Sequence, residues 1–299
     1  MIVITAPTGQ IGGQLLARLL ADDESLRVIV RDAARLPAEV RERVEIVEGS
    51  HRDPDVVAKA FDGADAVFWL VPPNPRSESP EAVYVDFSRA ACEAFTAQGV
   101  ARVVGVSALG RGTAVAARAG HVTATLALDD LIASTGVAYR ALALPSFMDN
   151  LLRQVEPIRD HGVFASPVSG DLRAPICSTG DIAAVAAGLL RDGTWSGVEE
   201  VPVLGPEDLS HDDMARIMSE VLGRPIRFQR TPDEEFRARL VGSGMSATMA
   251  QSLLDMMRAK VAGLDNGVPR TPLSSSPTSF RRWCEDVLRP AVLATVEAL

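Results

Sequence analysis

The sequence predicts an α/β protein built on a doubly wound parallel sheet. Short β-branched runs alternate with helical patterns six times over roughly the first 145 residues. The first run is β-branched and continuous, as expected of a strand covered on both faces. That run, IVIT at 2–5, passes through a glycine-bearing turn into a helix whose Leu15, Leu16, Leu19 and Leu20 recur at helical spacing. A chain of 299 residues has room for one large domain, or one plus a smaller lobe.

The opening turn reads A6-x-x-G9-x-x-G12, with Gly13 beyond. A helix N-terminus aimed past a strand end offers free N–H groups and a favourable dipole to phosphate. Gly9 lets backbone approach a pyrophosphate, and Gly12 or Gly13 lets the helix pack on the strand. The dinucleotide fingerprint has glycine where Ala6 stands, and alanine is tolerable there if its φ is negative. The alternative is an ordinary tight βα turn.

The second strand, LRVIVR at 26–31, ends in Arg31-Asp32, with Arg35 shortly after. Arginine at this strand end suits the 2′-phosphate of NADP, whereas an acid selects NAD. Asp32 is open to two readings, a cap on the next turn or a ribose ligand. VEIVEGS at 44–50 is the third strand, and His51-Arg52-Asp53 leads into a helix holding Val56, Val57 and Ala60. Residues 64–71 form the fourth strand, stopped by Pro72-Pro73, with Leu70 and Val71 placed to touch the adenine or ribose. A polar loop at 74–81 precedes a helix over 82–98, in which Tyr84 is a candidate pocket residue. The fifth strand, 102–107, ends at Ser107, a cofactor-edge candidate. GRGTAVAARAG then reads as a mobile rim, before a helix over 121–134 and a strand over 137–144 that carries Tyr139 as a core residue. Asp181 is expected to cap the helix DIAAVAAGLL. Helices at 232–241 and 246–262, the second Met-rich, belong to the smaller lobe; Met245 and Met249 are pocket candidates, with core packing the alternative. TPLSSSPTS at 271–279 reads as a linker, and Phe280, Trp283 and Leu288 anchor a terminal helix.

Formal net charge is −9, with Lys+Arg 30 against Asp+Glu 39. That disfavours a nucleic-acid surface, which needs concentrated positive charge. The three cysteines are far apart with no C-x-x-C, so neither structural zinc nor a disulfide framework is expected, and no metal site is. The first strand leaves no room for a signal peptide and no apolar run has spanning length, so the expected location is the cytoplasm, without a membrane role. A monomer or homodimer acting on a small molecule is the expected state.

TAPTGQIGGQLL, LRVIVRDAARL, VFWLVPP, RVVGVSALG, IASTGVAYRALALPSFMDNLL and STGDIAAVAAGLL with VPVLGPEDLS stand in an order that resembles the NmrA-like group of atypical short-chain dehydrogenases/reductases, as does the ending TPLSSSPTSFRRWCEDV. The resemblance implies a Rossmann-type domain over 1–152, with segments around 175–205 completing the sheet, and a smaller, mostly helical C-terminal lobe over 206–299 beside a substrate cleft. Carried over by position, Thr8, Gly9, Gln10 and Ile11 contact the pyrophosphate and ribose, Arg31 the 2′-phosphate, and Phe147 and Asn150 lie beside the nicotinamide. NADP(H) is the expected cofactor, with NAD the alternative.

One departure bears on chemistry. The typical Tyr-x-x-x-Lys pair is missing; Thr125 stands about where the lysine would be, and His121 one helical turn earlier. His121 and Tyr84 are the candidate proton donors. Without that pair, hydride transfer favours electron-poor acceptors such as quinones and enones, which need little acid–base help. The alternatives are a non-catalytic NADP(H)-sensing regulator acting through a protein partner, and a tailoring reductase or isomerase of a biosynthetic intermediate.

Overall fold

The computed structural model describes residues 1–294; residues 295–299, the end of the expected C-terminal lobe, lie outside it. The first half alternates strand and helix: β1 (Ile2–Thr5), α1 (Gln10–Ala21), β2 (Leu26–Val30), α2 (Ala38–Arg41), β3 (Glu45–Glu48), α3 (Pro54–Phe61), β4 (Ala66–Trp69), α4 (Phe87–Ala97), β5 (Arg102–Val106), α5 (His121–Ser134) and β6 (Ala138–Ala143). Then come β7 (Ser146–Phe147), α6 (Val155–His161), β8 (Val163–Ser166), β9 (Ala174–Cys177), α7 (Thr179–Arg191), β10 (Val198–Pro202), β11 (Asp208–Leu209), α8 (His211–Leu222), β12 (Arg227–Arg230), α9 (Asp233–Gly242), α10 (Ala247–Val261), α11 (Phe280–Trp283) and α12 (Arg289–Leu293).

Seven strands form the main sheet in the order β10-β6-β5-β4-β1-β2-β3. The pairs among β1 to β6 are all parallel, with Ile2 opposite Leu26 on one side and Ala66 on the other. Every residue of β1 and β4 is buried, which is why both read as unbroken apolar runs. Phe61 stacks on Phe95 with ring centroids 5.1 Å apart, and Trp69 meets Phe95 edge-on, forming one aromatic centre of the core. Strand order reverses between β1 and β4, so the carboxyl ends of these strands flank the topological switch point where open α/β sheets bind ligands.

The chain divides into two compact units. The first comprises Met1–Ala108, His121–Ala143 and Ile182–Val201 and contains the main sheet. The second comprises Leu109–Gly120, Leu144–Asp181 and the described residues from Pro202 onward. It holds a three-stranded sheet, β11-β9-β7, a two-stranded sheet, β12-β8, and helices packed around Phe164, Ile176, Met218, Phe280 and Trp283. Phe280, Trp283 and Leu288 are buried, as the sequence predicts.

Two local expectations are corrected, the linker and the Asp181 cap, and two are sharpened. The segment 271–279 is a strap rather than a linker: Leu204 N–H donates to Ser274 O at 2.7 Å and Ser276 N–H to Leu204 O at 2.6 Å. Serine hydroxyls satisfy the turn's own backbone, Thr271 N–H donating to Ser274 Oγ at 2.8 Å, so a low-complexity stretch packs without apolar residues. The end of the segment 110–120 is packed: Gly120 lies so close to α10 that an added Cβ would sit 2.0 Å from Ser252 O. The helix expected over 82–98 opens with a π turn at Ala82–Asp86. Asp181 does not cap α7: its N–H donates to the Ser178 hydroxyl at 3.1 Å, while its carboxylate accepts the Thr278 N–H at 3.1 Å and the Thr278 hydroxyl at 2.8 Å.

Candidate active site

The turn after β1 has the geometry of a phosphate cradle. Gly9 sits at the N-cap of α1 in extended conformation and supplies no side-chain cap, and the first turn holds no acid. Thr8, Gly9 and Gln10 are exposed, leaving the helix start open to an anion. Ile11 is buried, so only its backbone is available to a ligand. Gly12 is required by packing: a Cβ there would lie 2.2 Å from Ala6 O. Ala6 does not meet the condition of a negative φ: its φ is +50°, a left-handed backbone that favours glycine.

At the tip of β2, Arg31 and Asp32 are both exposed. Asp32 accepts the Ala34 N–H at 2.9 Å and so caps the following turn. Arg31 and Arg35 are exposed guanidiniums at the same edge.

Two residues not singled out as site candidates shape the end of β4. Thr5 is fully buried; its hydroxyl accepts the Leu70 N–H at 2.8 Å and donates to Phe68 O at 3.0 Å. His51, buried against Trp69 and Phe87, donates Nε2–H to Leu70 O at 3.1 Å. Burial holds the His51 imidazole down to about 4, with the Leu70 carbonyl opposing and the Arg31 charge adding to the shift. Leu70 and Val71 are thereby presented half-buried at the carboxyl edge. A polar residue closing an apolar strand was the available signal for Thr5.

α5 carries a polar stripe. His121, Thr125 and Asp129 follow at four-residue spacing, Thr125 and Asp129 on the buried face of the helix. Thr125 donates its hydroxyl proton to His121 O at 3.0 Å. Burial raises the phenol of Tyr84, on the π turn, above the ordinary value, with Thr125 opposing the shift. The Tyr84 and His121 rings stand nearly perpendicular, with centroids 6.2 Å apart. Farther along, Asp129 accepts the Tyr139 hydroxyl at 2.6 Å and the Ser107 hydroxyl. Ser107 is buried, so the hydroxyl expected to face a cofactor points to Asp129 instead. An acid on the buried face of an apolar helix was the signal that marks Asp129.

In the second unit, Phe147 is half-buried on β7 and Asn150 exposed. Beside Asn150, Asp149 is buried and accepts the Thr179 N–H at 3.0 Å and its hydroxyl at 2.7 Å. Met249 is a core residue, whereas Met245 is half-buried. Burial pushes the Cys92 and Cys284 thiols up to about 12, which makes them inert. Among the described residues no cluster of His, Cys, Asp or Glu is arranged to hold a metal, and no helix is long and apolar enough to cross a membrane.

Residues 7–193 match the NAD(P)H-binding family. The NAD(P)H azoreductase of Xenophilus azovorans is 27% identical over 276 residues, 90% of this chain and 92% of the relative. The (4-alkanoyl-5-oxo-2,5-dihydrofuran-3-yl)methyl phosphate reductase of Streptomyces griseus is 28% identical over 286 residues, 95% of this chain and 96% of the relative. Among solved structures, the triphenylmethane reductase of Citrobacter sp., complexed with NADP(H), superposes with a TM-score of 0.80 at 19% identity, covering 98% of this chain and 100% of that one. The fold and the open start of α1 agree with that match, and the chain belongs to the NAD(P)H-binding family, as an atypical short-chain dehydrogenase/reductase of the NmrA-like kind.

Proposed function

We propose that the protein is an NADPH-dependent oxidoreductase that reduces a small, apolar, electron-poor acceptor of the quinone or enone class. The observation that carries this reading is the uncapped start of α1 beside an exposed Arg31, while the neighbouring Asp32 carboxylate is engaged with Ala34. The residues fit a dinucleotide: the Thr8–Ile11 backbone suits the pyrophosphate, Arg31 the 2′-phosphate, and Leu70 and Val71 the adenosine side. When bound, the reduced nicotinamide supplies hydride.

The acceptor class follows from what stands in place of the Tyr-x-x-x-Lys pair. His121 and Thr125 occupy that stretch of α5. Neither supplies the lysine charge that lowers a catalytic tyrosine's pKa, so an acceptor already electron-poor is favoured over a simple ketone. The reductase names of the azovorans and griseus relatives support the reaction class.

Calorimetric titration with both cofactors tests the reading. NADPH is expected to bind at least roughly tenfold more tightly than NADH, the worth of one charge-assisted phosphate contact, and Arg31→Ala to abolish the difference. Equal affinities in the native protein would overturn the NADPH preference. A panel of quinones and enones then tests turnover through loss of reduced-cofactor absorbance. Tight NADPH binding with no acceleration by any acceptor would favour the regulator.

A further inference from the structure

The turn Ala33–Arg35, just past the tip of β2, is closed by two acids. Asp32, at its start, accepts the Ala34 N–H at 2.9 Å. Glu48, the last residue of β3, accepts the Ala33 N–H at 2.8 Å. β2 and β3 run parallel with Val30 opposite Glu48, so the Glu48 side chain ties the end of one strand to the turn leaving the other. The next donors are used within the turn: Arg35 N–H donates to Asp32 O at 3.2 Å and Leu36 N–H to Ala33 O at 3.1 Å. Leu36 is buried and anchors the exit.

Every backbone N–H from Ala33 to Leu36 is therefore taken. A phosphate at this edge finds no free donor in the turn, and side chains must hold it. Arg31 and Arg35 flank the turn. Both are exposed, and among the described residues neither makes a hydrogen bond or an ion pair through its guanidinium. The contrast lies on the same two strands. Arg27 of β2 is opposite Glu45 of β3 and is bound by it at 2.7 Å. Three residues on, the acid of β3 is engaged with backbone instead, and the arginine beside it stays unpaired.

We propose that Glu48 is a specificity-determining residue of the cofactor site. By holding the Ala33 N–H it keeps the turn in one conformation with both guanidiniums free, and so sets the preference for a dinucleotide that carries a 2′-phosphate. Its role is that of a positioning residue, acting through the turn on Arg31 and Arg35. The proposal rests on the NADPH reading above and concerns the adenosine end alone, whatever the acceptor.

Two variants separate tether from charge. Glu48→Gln keeps an acceptor oxygen for the Ala33 N–H, and Glu48→Ala removes it. Both lack the carboxylate charge, so repulsion of a phosphate by Glu48 is absent from both. The difference between them is the tether. An untethered turn must be ordered when the phosphate binds, and that ordering weakens affinity. Glu48 is exposed, so both variants are expected to fold, and thermal melts check it.

NADPH and NADH differ only in the 2′-phosphate, and calorimetry reads the affinity of each. Glu48→Gln should match or exceed the native preference for NADPH. Glu48→Ala should bind NADPH about fivefold more weakly than Glu48→Gln, with NADH affinity the same in both. Exchange of the Ala33 amide proton should quicken in Glu48→Ala and not in Glu48→Gln. If the native protein binds the two cofactors equally, the NADPH reading fails and the role of Glu48 with it. If the native protein prefers NADPH and the two variants share one preference, the reading stands and Glu48 is not its determinant. If Glu48→Ala weakens both cofactors equally, the residue serves the fold and the proposal is overturned.

Discussion

Ala6 is the residue whose backbone works hardest against its side chain. A φ of +50° costs an L-residue about 1 kcal/mol relative to glycine, and Gly9 and Gly12 leave it no room to relax, since Gly9 N–H donates to Ala6 O at 3.0 Å. Ala6→Gly is therefore expected to stabilise the protein by about 1 kcal/mol, read as a rise in the urea midpoint at unchanged slope. No gain would mean that the turn relaxes to negative φ in solution. His51 makes a second prediction at this scale. Its folded-state imidazole titrates at about 4 against 6.5 for the free group. The unfolded chain therefore binds a proton between those values that the folded chain refuses. Stability is full above pH 6.5 and falls as pH drops toward 4, by at most roughly 3 kcal/mol from this group. His51→Phe should flatten that slope in denaturation measured across the window. His211, also lowered by burial, keeps a residual slope of the same sign.

At the scale of the element, the turn from β1 to α1 separates packing from binding. An added Cβ at Gly9 would lie 3.4 Å from Ala6 O, an ordinary contact, whereas at Gly12 it would lie 2.2 Å from the same atom. Gly12→Ala is expected to destabilise by about 1–3 kcal/mol, because backbone rather than a flexible side chain must move. Gly9→Val should change stability by less than about 1 kcal/mol yet abolish measurable NADPH binding, because its branches fill the exposed mouth of the helix start. Thermal melts paired with cofactor fluorescence titrations decide both. Native NADPH affinity in Gly9→Val would make the turn purely structural.

Across the whole molecule, contacts distant in sequence hold segments that composition alone marks as loose. In the second unit, Asp181 is buried and its carboxylate holds Thr278, 97 residues away, through two hydrogen bonds. Asp181→Ala leaves those donors unpaired and should destabilise by about 1–3 kcal/mol, with faster proteolysis within 271–279. Asp181→Asn keeps an acceptor oxygen and should lose less. Equal proteolysis of all three proteins would show that the Leu204 pairing suffices to hold the strap.

The sequence by itself determined the parallel sheet, the place of α5 at 121–134, the glycine-bearing turn into α1 and the arginine at the tip of β2. Each follows from a local signal: a continuous apolar run, helical spacing, or glycines at fixed intervals before a helix. Tertiary structure alone decided the positive φ of Ala6, the burial of Met249, and the engagement of Ser107 with Asp129. It also decided the meeting of Tyr84 with His121 and the pairing that turns residues 271–279 into a strap. Periodicity records which face of an element is buried. It does not record which residue buries that face, nor which distant donor a polar group there will find, because those depend on how the chain returns on itself.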